Sequence, residues 1–259
     1  MKTYKGYLID LDGTMYRGTE QIDAASDFVA YLVENNLPYL FVTNNSSQTP
    51  QQVADKLNKF QIQATKESVF TTSQATANYI SEKKQNAAVY AIGEEGLKQA
   101  LMNNGHQLVE ENPEYVVVGI DREINYEKLS KACVAVRNGA TFISTNGDIA
   151  IPTEKGLLPG NGALTSVISV STNTSPIFIG KPERIIVEQA LQELGIDRKD
   201  TLMVGDNYAT DIMAGMNCGL DTLLVHTGVT TREHLLHLPE KPTYTVDSLS
   251  EYLTEFLIK

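Results

Sequence analysis

Positive charge is scarce in this chain of 259 residues. Lysine and arginine together number 21 against 32 aspartates and glutamates, which gives a formal net charge of -11. Proteins that bind nucleic acids or anionic membranes need clustered basic side chains that displace counterions. The sequence contains no basic run, so we exclude nucleic acid and membrane surfaces as its main partners.

Long apolar runs and metal-binding cysteine patterns are also lacking. No apolar run approaches the roughly 20 residues that a bilayer span requires, and the start leads into a strand without the apolar segment of a signal peptide. We therefore expect a cytoplasmic protein. The 2 cysteines, Cys133 and Cys218, lie among small or apolar neighbours and are expected to be buried free thiols.

The order of the predicted elements indicates an α/β fold. Apolar runs that predict buried strands alternate with segments of helical periodicity, and this order is typical of parallel sheets covered on both faces. We expect strands at residues 7–9, 39–42, 88–92, 115–119, 141–144, 177–179, 201–204, 222–225 and 244–246. Helices are expected at residues 23–35, 49–60, 94–103, 126–137, 163–170, 182–194 and 249–257.

Two domains are expected from this order and from the length. Residues 1–78 and 179–259 are predicted to form one sheet that begins and ends the chain, with the strand at 177–179 leading back into it. Residues 79–178 are predicted to form a self-contained α/β insertion, entered and left by short connections. Within the insertion, residues 144–162 are expected to form a polar loop.

Polar residues follow directly after several of the predicted buried strands. In an open parallel sheet, the carboxyl ends of the strands are where ligands bind. Each polar segment alone is better explained as an ordinary turn or helix start, but together and in this order they describe a phosphate-transfer site. The segments are Asp10 with Asp12, Thr43 with Asn44 and Asn45, Gly180-Lys181-Pro182, and Gly205-Asp206 through Asp211.

The acidic residues and the lysine have separate expected tasks. A carboxylate that attacks a phosphate monoester meets a dianion, so the site needs a divalent cation and further positive charge. Asp10, the nucleophile, and Asp206 are expected to share Mg²⁺, and Lys181 is expected to supply the second charge. Asp211 is expected to support Asp206 or Lys181 from outside the reacting groups.

The remaining polar residues are expected to bind the phosphoryl group and to move protons. The hydroxyl of Thr43 and the amides of Asn44 and Asn45 can hold phosphoryl oxygens without adding negative charge. Asp12 and Asp10, two residues apart, are expected to emerge together on one face of the strand end. Asp12 is placed to protonate the leaving alkoxide and later to accept a proton from water.

The four segments IDLDGT, TNNSS, GKP and GDNYATD resemble, in this order, the motifs of the haloacid dehalogenase (HAD) superfamily. The insertion is similar to the α/β cap of its NagD-like phosphatases, and among these the chain most resembles bacterial acid sugar phosphatases. The resemblance implies a Rossmann-like doubly wound core with a cap domain, and an aspartyl-phosphate intermediate on Asp10. It also implies Mg²⁺ bound by Asp10, Asp206 and the backbone carbonyl of Asp12.

The expected activity is therefore Mg²⁺-dependent hydrolysis of small phosphate monoesters. Sugar or acid-sugar phosphates are expected substrates, nucleotides remain open, and p-nitrophenyl phosphate should serve in vitro. The cap is expected to select the leaving group, with Asn146, Asp148 and Lys155 as candidate contacts. The chain is expected to be a monomer or homodimer. A phosphomutase or phosphotransferase of the same superfamily, or a receiver-type signalling module, is the alternative.

Overall fold

The alternating apolar and amphipathic segments form two larger sheets in the computed structural model, which describes residues 2–153 and 156–258. In chain order the strands are β1 (Gly6–Ile9), β2 (Tyr16–Arg17), β3 (Glu20–Gln21), β4 (Tyr39–Thr43), β5 (Val69–Thr71), β6 (Ala88–Ile92), β7 (Gln107–Leu108), β8 (Tyr115–Val118), β9 (Thr141–Ser144), β10 (Ala150–Thr153), β11 (Gly156–Pro159), β12 (Ile177–Phe178), β13 (Thr201–Gly205), β14 (Asp221–Val225) and β15 (Tyr244–Val246).

The helices match the predicted amphipathic segments with shifts of a few residues at their ends, and the sequence missed three of them. In chain order they are α1 (Ala25–Glu34), α2 (Pro50–Lys59), α3 (Thr72–Lys83), α4 (Glu95–Asn103), α5 (Tyr126–Arg137), α6 (Asn161–Thr172), α7 (Arg184–Leu194), α8 (Met213–Asn217), α9 (Arg232–Leu236) and α10 (Leu249–Tyr252). The missed helices are α3, α8 and α9. None of the helices formed by the described residues has both the length and the apolarity that a membrane span requires.

The described residues divide into two compact units. The first comprises Met1–Thr43, Gln51–Phe70 and Lys181–Lys259, and the second comprises Asn44–Pro50 and Thr71–Gly180. The second unit contains residues 44–50 and 71–78, which the predicted domain bounds, 1–78 with 179–259 against 79–178, assign to the first domain. The assignment of the two units as catalytic core and cap stays a prediction.

The sheet of the first unit has the order β15-β14-β13-β1-β4-β5. Strand β1 lies between β13 and β4 and is parallel to both, with Ile9 opposite Val204 and Phe41. All four residues of β1 are buried, as expected for a strand covered on both faces. Helix α1 packs against this sheet, where the Phe28 ring meets the ring of Tyr7 edge-on at 5.8 Å.

The sheet of the second unit has the order β12-β9-β8-β6-β7, and each strand is parallel to its neighbours. Strand β12 pairs with β9 in this sheet, so Ile177 and Phe178 lie within the predicted insertion, 79–178, and do not lead back into the first sheet as the strand at 177–179 was expected to. The predicted polar loop of residues 144–162 is also wrong in part. It contains the antiparallel hairpin of β10 and β11, with Ala150 opposite Pro159, and all four residues of β11 are exposed.

Both cysteines are buried and free, as the sequence predicts.

Candidate active site

The first polar residues of the site follow strand β1 directly. The strand ends at Ile9, and the Asp10 N–H still donates to the Val204 carbonyl at 2.9 Å. The chain then turns, since Met15 N–H donates to the Leu11 carbonyl at 2.7 Å. Strand alternation therefore does not extend to Asp12. Asp10 is buried with 8% exposure, whereas Asp12 is exposed.

Lys181 joins two of the predicted acidic residues. Its Nζ lies 2.5 Å from Asp10 Oδ1 and 2.8 Å from Asp211 Oδ1, and it donates to the Val42 carbonyl at 2.8 Å. The side chain is 2% exposed, so the ammonium group relies on these partners instead of water. The structure thus brings together Asp10, Lys181 and Asp211 as the sequence predicted.

Asp206 follows β13, the neighbour of β1, and is completely buried. Its Oδ1 accepts a hydrogen bond from Thr14 Oγ1 at 3.1 Å, and its Oδ2 accepts one from the Val229 N–H at 2.8 Å. Two glycines make room for this carboxylate. A Cβ atom would lie 2.4 Å from Asp206 Oδ2 at Gly13 and 1.9 Å from it at Gly228.

Asp211 lies on the π-helical turn Tyr208–Ile212 that follows this strand. Its Oδ2 accepts a hydrogen bond from the Asn207 N–H at 3.0 Å, while Oδ1 faces Lys181. A Cβ atom at Gly205 would lie 2.3 Å from the Asp211 Cβ, so only glycine lets the side chain approach the strand end. Asp211 thus contacts Lys181, one of the two residues that it was expected to support.

The three carboxylates form an oxygen-rich cluster that fits a divalent cation. Among the described residues, Asp10, Asp206 and Asp211 each offer an oxygen within 4.8 Å of the others. Three carboxylates face the single ammonium of Lys181, which leaves two negative charges uncompensated when all are ionised. Hard divalent cations such as Mg²⁺ prefer carboxylate oxygen ligands, so the donor set and the charge both fit.

Burial and the neighbouring charges shift the pKa values of Asp10, Asp206 and Lys181. Burial raises the pKa of Asp10 well above its usual range, and Asp211 and Asp206 raise it further, whereas Lys181 lowers it. Burial, with Asp211, raises the pKa of Asp206 to about 6. Burial lowers the pKa of Lys181, but Asp10 and Asp211 outweigh it and hold that pKa above its ordinary value. A bound cation would favour the ionised carboxylates.

Asp12 has different surroundings from Asp10. Partial desolvation raises the pKa of Asp12, while Lys56 and a backbone hydrogen bond from Gly18 lower it. Lys56 lies on α2, with its Nζ 3.7 Å from the centroid of the Tyr16 ring. The Tyr16 carbonyl in turn accepts a hydrogen bond from the Gly13 N–H at 2.7 Å. The two aspartates thus differ in exposure and in their charged neighbours.

The polar residues after β4 are divided between the two units. Thr43 is buried at the end of β4 and belongs to the first unit, whereas Asn44 and Asn45 belong to the second. Asn45 Oδ1 accepts hydrogen bonds from the Ser47 N–H at 2.9 Å and the Gln48 N–H at 3.1 Å. The side chain of Asn45 thus orders the turn that leads to α2.

Comparison with known proteins identifies the family. Residues 7–107 match the family model described as haloacid dehalogenase-like hydrolase, and residues 178–252 match the model described as HAD-hydrolase-like. The 5'-nucleotidase YutF of Bacillus subtilis (strain 168) is 66% identical over 253 residues, covering 98% of this chain and 99% of that protein. The chain belongs to the haloacid dehalogenase-like hydrolases.

Further relatives place the hydrolase among the NagD-like phosphatases. The acid sugar phosphatase of Staphylococcus aureus (strain USA300) is 54% identical, covering 98% of this chain and 99% of that protein. A variant of the thermostable p-nitrophenylphosphatase from Bacillus stearothermophilus superposes with a TM-score of 0.88 at 60% identity, covering 97% and 98%. NagD from E. coli K-12 superposes with a TM-score of 0.91 at 31% identity, covering 96% and 98%. The chain is a phosphoric monoester hydrolase, and the predicted fold class is confirmed.

Three further residues of the hydrolase, for which the sequence predicted no role, make contacts around Asp206 and Gly13. Thr14 and Val229 hold Asp206, and Thr227 Oγ1 donates to the Gly13 carbonyl at 2.7 Å. The segment Thr227-Gly228-Val229-Thr230-Thr231 follows β14, the strand next to β13. The sequence signal for these contacts was Gly228 among threonines, shortly after a predicted buried strand.

Two of the candidate specificity residues, Asn146 and Asp148, lie in the loop between β9 and β10. Asn146 Nδ2 donates to the Asn44 carbonyl at 2.8 Å, and Asn44 Nδ2 donates to the Asp148 carboxylate. Lys155 lies outside the described residues. The roles assigned to these residues from the sequence remain proposals.

Proposed function

We propose that this hydrolase removes phosphate from small monoesters with the aid of Mg²⁺, through a covalent aspartyl phosphate on Asp10. The observation that carries the proposal is the contact of Lys181 Nζ with both Asp10 and Asp211, inside a buried cluster that includes Asp206. Such a cluster pairs a carboxylate nucleophile with fixed positive charge where phosphoryl oxygens need it.

The proposed reaction proceeds in two steps. An Asp10 carboxylate oxygen attacks phosphorus, the bond between phosphorus and the ester oxygen breaks, and Asp12 gives its proton to the departing alkoxide. Water then attacks phosphorus of the aspartyl phosphate while Asp12 accepts a proton from that water. The bond between Asp10 and phosphorus breaks, which releases inorganic phosphate and restores both carboxyl groups.

The cation would be held by Asp10, Asp206 and the backbone carbonyl of Asp12, with Asp211 beside them. When bound, Mg²⁺ supplies positive charge that offsets the negative charge of the phosphoryl oxygens. Lys181 supplies the second positive charge. The Thr43 hydroxyl and the groups of Asn44 and Asn45 are proposed to hold the phosphoryl oxygens.

The proposed substrates share a phosphate monoester and differ in the leaving group. The named relatives act on nucleotides, acid sugar phosphates and p-nitrophenyl phosphate, which have little in common beyond the phosphate. We propose sugar or acid-sugar phosphates as the main class, with nucleotides as further candidates. Selection is assigned to the second unit, with Asn146 and Lys155 as candidate residues. Asp148, the third candidate from the sequence, accepts a hydrogen bond from Asn44 and is assigned a different role below.

The proposal is tested by phosphate release from a panel of these esters with Mg²⁺ or with EDTA. Wild type should turn over only with the metal, and Asp10→Asn should be inactive. Rapid acid quenching followed by mass spectrometry should find a phosphorylated peptide that contains Asp10. Full turnover by Asp10→Asn, or turnover in EDTA, would overturn the proposal. A requirement for a sugar bisphosphate activator would indicate a mutase instead.

The role of Asp12 has a separate test. Asp12→Asn cannot protonate a leaving group, so it should slow sugar phosphates, which leave as basic alkoxides, far more than p-nitrophenyl phosphate. Mg²⁺ binding should remain largely intact. Equal losses for both esters would contradict the assignment of Asp12 as general acid.

A further inference from the structure

Asn44 is held by a small hydrogen-bonded cluster within the second unit. Its Nδ2 lies 3.2 Å from Asp148 Oδ2 and 3.3 Å from Asp148 Oδ1. Asn146 Nδ2 donates to the Asn44 backbone carbonyl at 2.8 Å, and its Oδ1 accepts from the Asp148 N–H at 3.1 Å. Both the side chain and the backbone of Asn44 are therefore oriented by the same loop.

The loop that carries Asp148 is itself held in place. Asn161 is 2% exposed, and its Nδ2 lies 2.9 Å from the Asn146 carbonyl and 3.0 Å from Ser144 Oγ. A Cβ atom at Gly160 would lie 2.2 Å from the Asp148 carbonyl oxygen. This close backbone packing leaves the loop little freedom, so Asp148 presents its carboxylate to Asn44 from a rigid base.

The hydrogen-bonded cluster around Asn44 also includes Gly180, which is distant from Asn44 in the sequence. The Gly180 N–H donates to the Thr145 carbonyl at 2.8 Å, and a Cβ atom at Gly180 would lie 2.5 Å from Asn44 Oδ1. In the sequence, Asn44 directly follows Thr43 and Gly180 directly precedes Lys181. The cluster thus fixes the immediate neighbours of two residues that are proposed to bind the phosphoryl group.

We infer that Asp148 is a positioning residue, which orients Asn44 through its carboxylate and thereby fixes the phosphate-binding segment, instead of contacting the leaving group. The inference rests on the proposed function of Thr43 and Asn44. The side-chain amide of Asn44 donates to the Asp148 carboxylate. Asn44 therefore contributes to the site through its backbone, whose position fixes the phosphate-binding segment. Asp148 then matters equally for every phosphate monoester, whatever its leaving group.

The inference is tested with Asp148→Ala, Asp148→Asn and the control Glu111→Ala, an exposed acid of the same unit. Substrates are p-nitrophenyl phosphate, a nucleoside 5'-monophosphate and an acid sugar phosphate. Asp148→Ala should lower kcat/KM for all three by the same factor, about tenfold to a hundredfold, because misplaced binding groups lose that much. Asp148→Asn keeps an oxygen that accepts from Asn44 and should recover most of the loss.

Inhibition by inorganic phosphate, which has no leaving group, decides between the two roles. Its inhibition constant should rise in Asp148→Ala by a factor similar to the loss in kcat/KM. A loss of folded protein alone would lower the apparent kcat and leave this constant unchanged, and that result would overturn the inference. A loss confined to substrates with one leaving group would also overturn the inference, as would kinetics equal to those of Glu111→Ala.

Should Asp148→Ala not fold, the same constants are measured on Asp148→Asn, for which a small and uniform change is expected. Failure of wild type to hydrolyse any ester with Mg²⁺ would instead refute the proposed function.

Discussion

The ammonium nitrogen of Lys181 lies 2.5 Å from Oδ1 of Asp10, although 171 residues separate the two in the sequence. Both side chains are buried, so the pair is screened little by water. Removing one member of a buried ion pair leaves the other uncompensated, which is more costly than the loss of a surface pair.

Replacing Lys181 by methionine should therefore affect both activity and stability. We expect kcat to fall by at least about a hundredfold, because a fixed positive group at the phosphoryl oxygens is lost. The free energy of unfolding without metal should fall by about 3 kcal/mol. Steady-state kinetics and urea denaturation measure the two effects. The exposed Lys199→Met should change neither. Activity near that of wild type in Lys181→Met would contradict the role of Lys181.

Divalent metal should stabilise the fold through the carboxylate cluster. A ligand that binds only the folded state at a hundred times its Kd adds about 2.7 kcal/mol of stability. The melting temperature should therefore rise with Mg²⁺ and return with EDTA, as followed by thermal unfolding. Asp206→Asn should remove this rise, whereas Asp200→Asn, which loses only a surface pair with Lys5, should keep it. An equal rise in both variants would place the metal elsewhere.

Gly13 and Gly139 offer a matched pair for testing the space around Asp206. Both have a left-handed backbone, with φ of 94° and 98°. A Cβ atom at Gly13 meets the Asp206 carboxylate, whereas one at Gly139 meets nothing within 4 Å. Alanine at either position should cost about 1–2 kcal/mol of backbone strain. Only Gly13→Ala should also abolish Mg²⁺-dependent phosphatase activity. Retained activity in Gly13→Ala would show that Asp206 tolerates displacement.

Asp221 should contribute to stability in a pH-dependent way. Burial raises its pKa, but hydrogen bonds from Lys2 and Tyr4 outweigh burial and hold the pKa below its ordinary value. Its contribution is therefore present above the unfolded pKa, near 4, and is lost as the pH falls through the lower folded pKa. Asp221→Asn should reduce the free energy of unfolding at pH 7 by up to about 1 kcal/mol. The difference from wild type should shrink toward pH 3 in urea titrations, and a constant difference would exclude an ionic origin.

The helices and central strands could be predicted from the sequence wherever the pattern of apolar residues matches the burial of those residues in the structure. Strand β1 reads as a strand because its residues are all apolar and lie in the middle of a sheet. Helix α7 ends at Leu194 and is capped by Gly195 with a left-handed φ of 70°, and a glycine directly after an amphipathic segment is the usual sequence signal for such an end. The hairpin of β10 and β11 was missed because the residues of β11 are exposed and neither apolar alternation nor a long apolar run marks this strand.

The sequence by itself determined the fold class and the polar segments that are proposed to carry the chemistry, because each of these segments directly follows an apolar run typical of a buried strand. It did not determine the neighbours of those residues. Only the tertiary structure decided that β12 pairs with β9, that Asp211 faces Lys181, and that Asp148 holds Asn44. These contacts join segments far apart in the chain, and local propensity does not encode pairings that depend on how the sheets assemble.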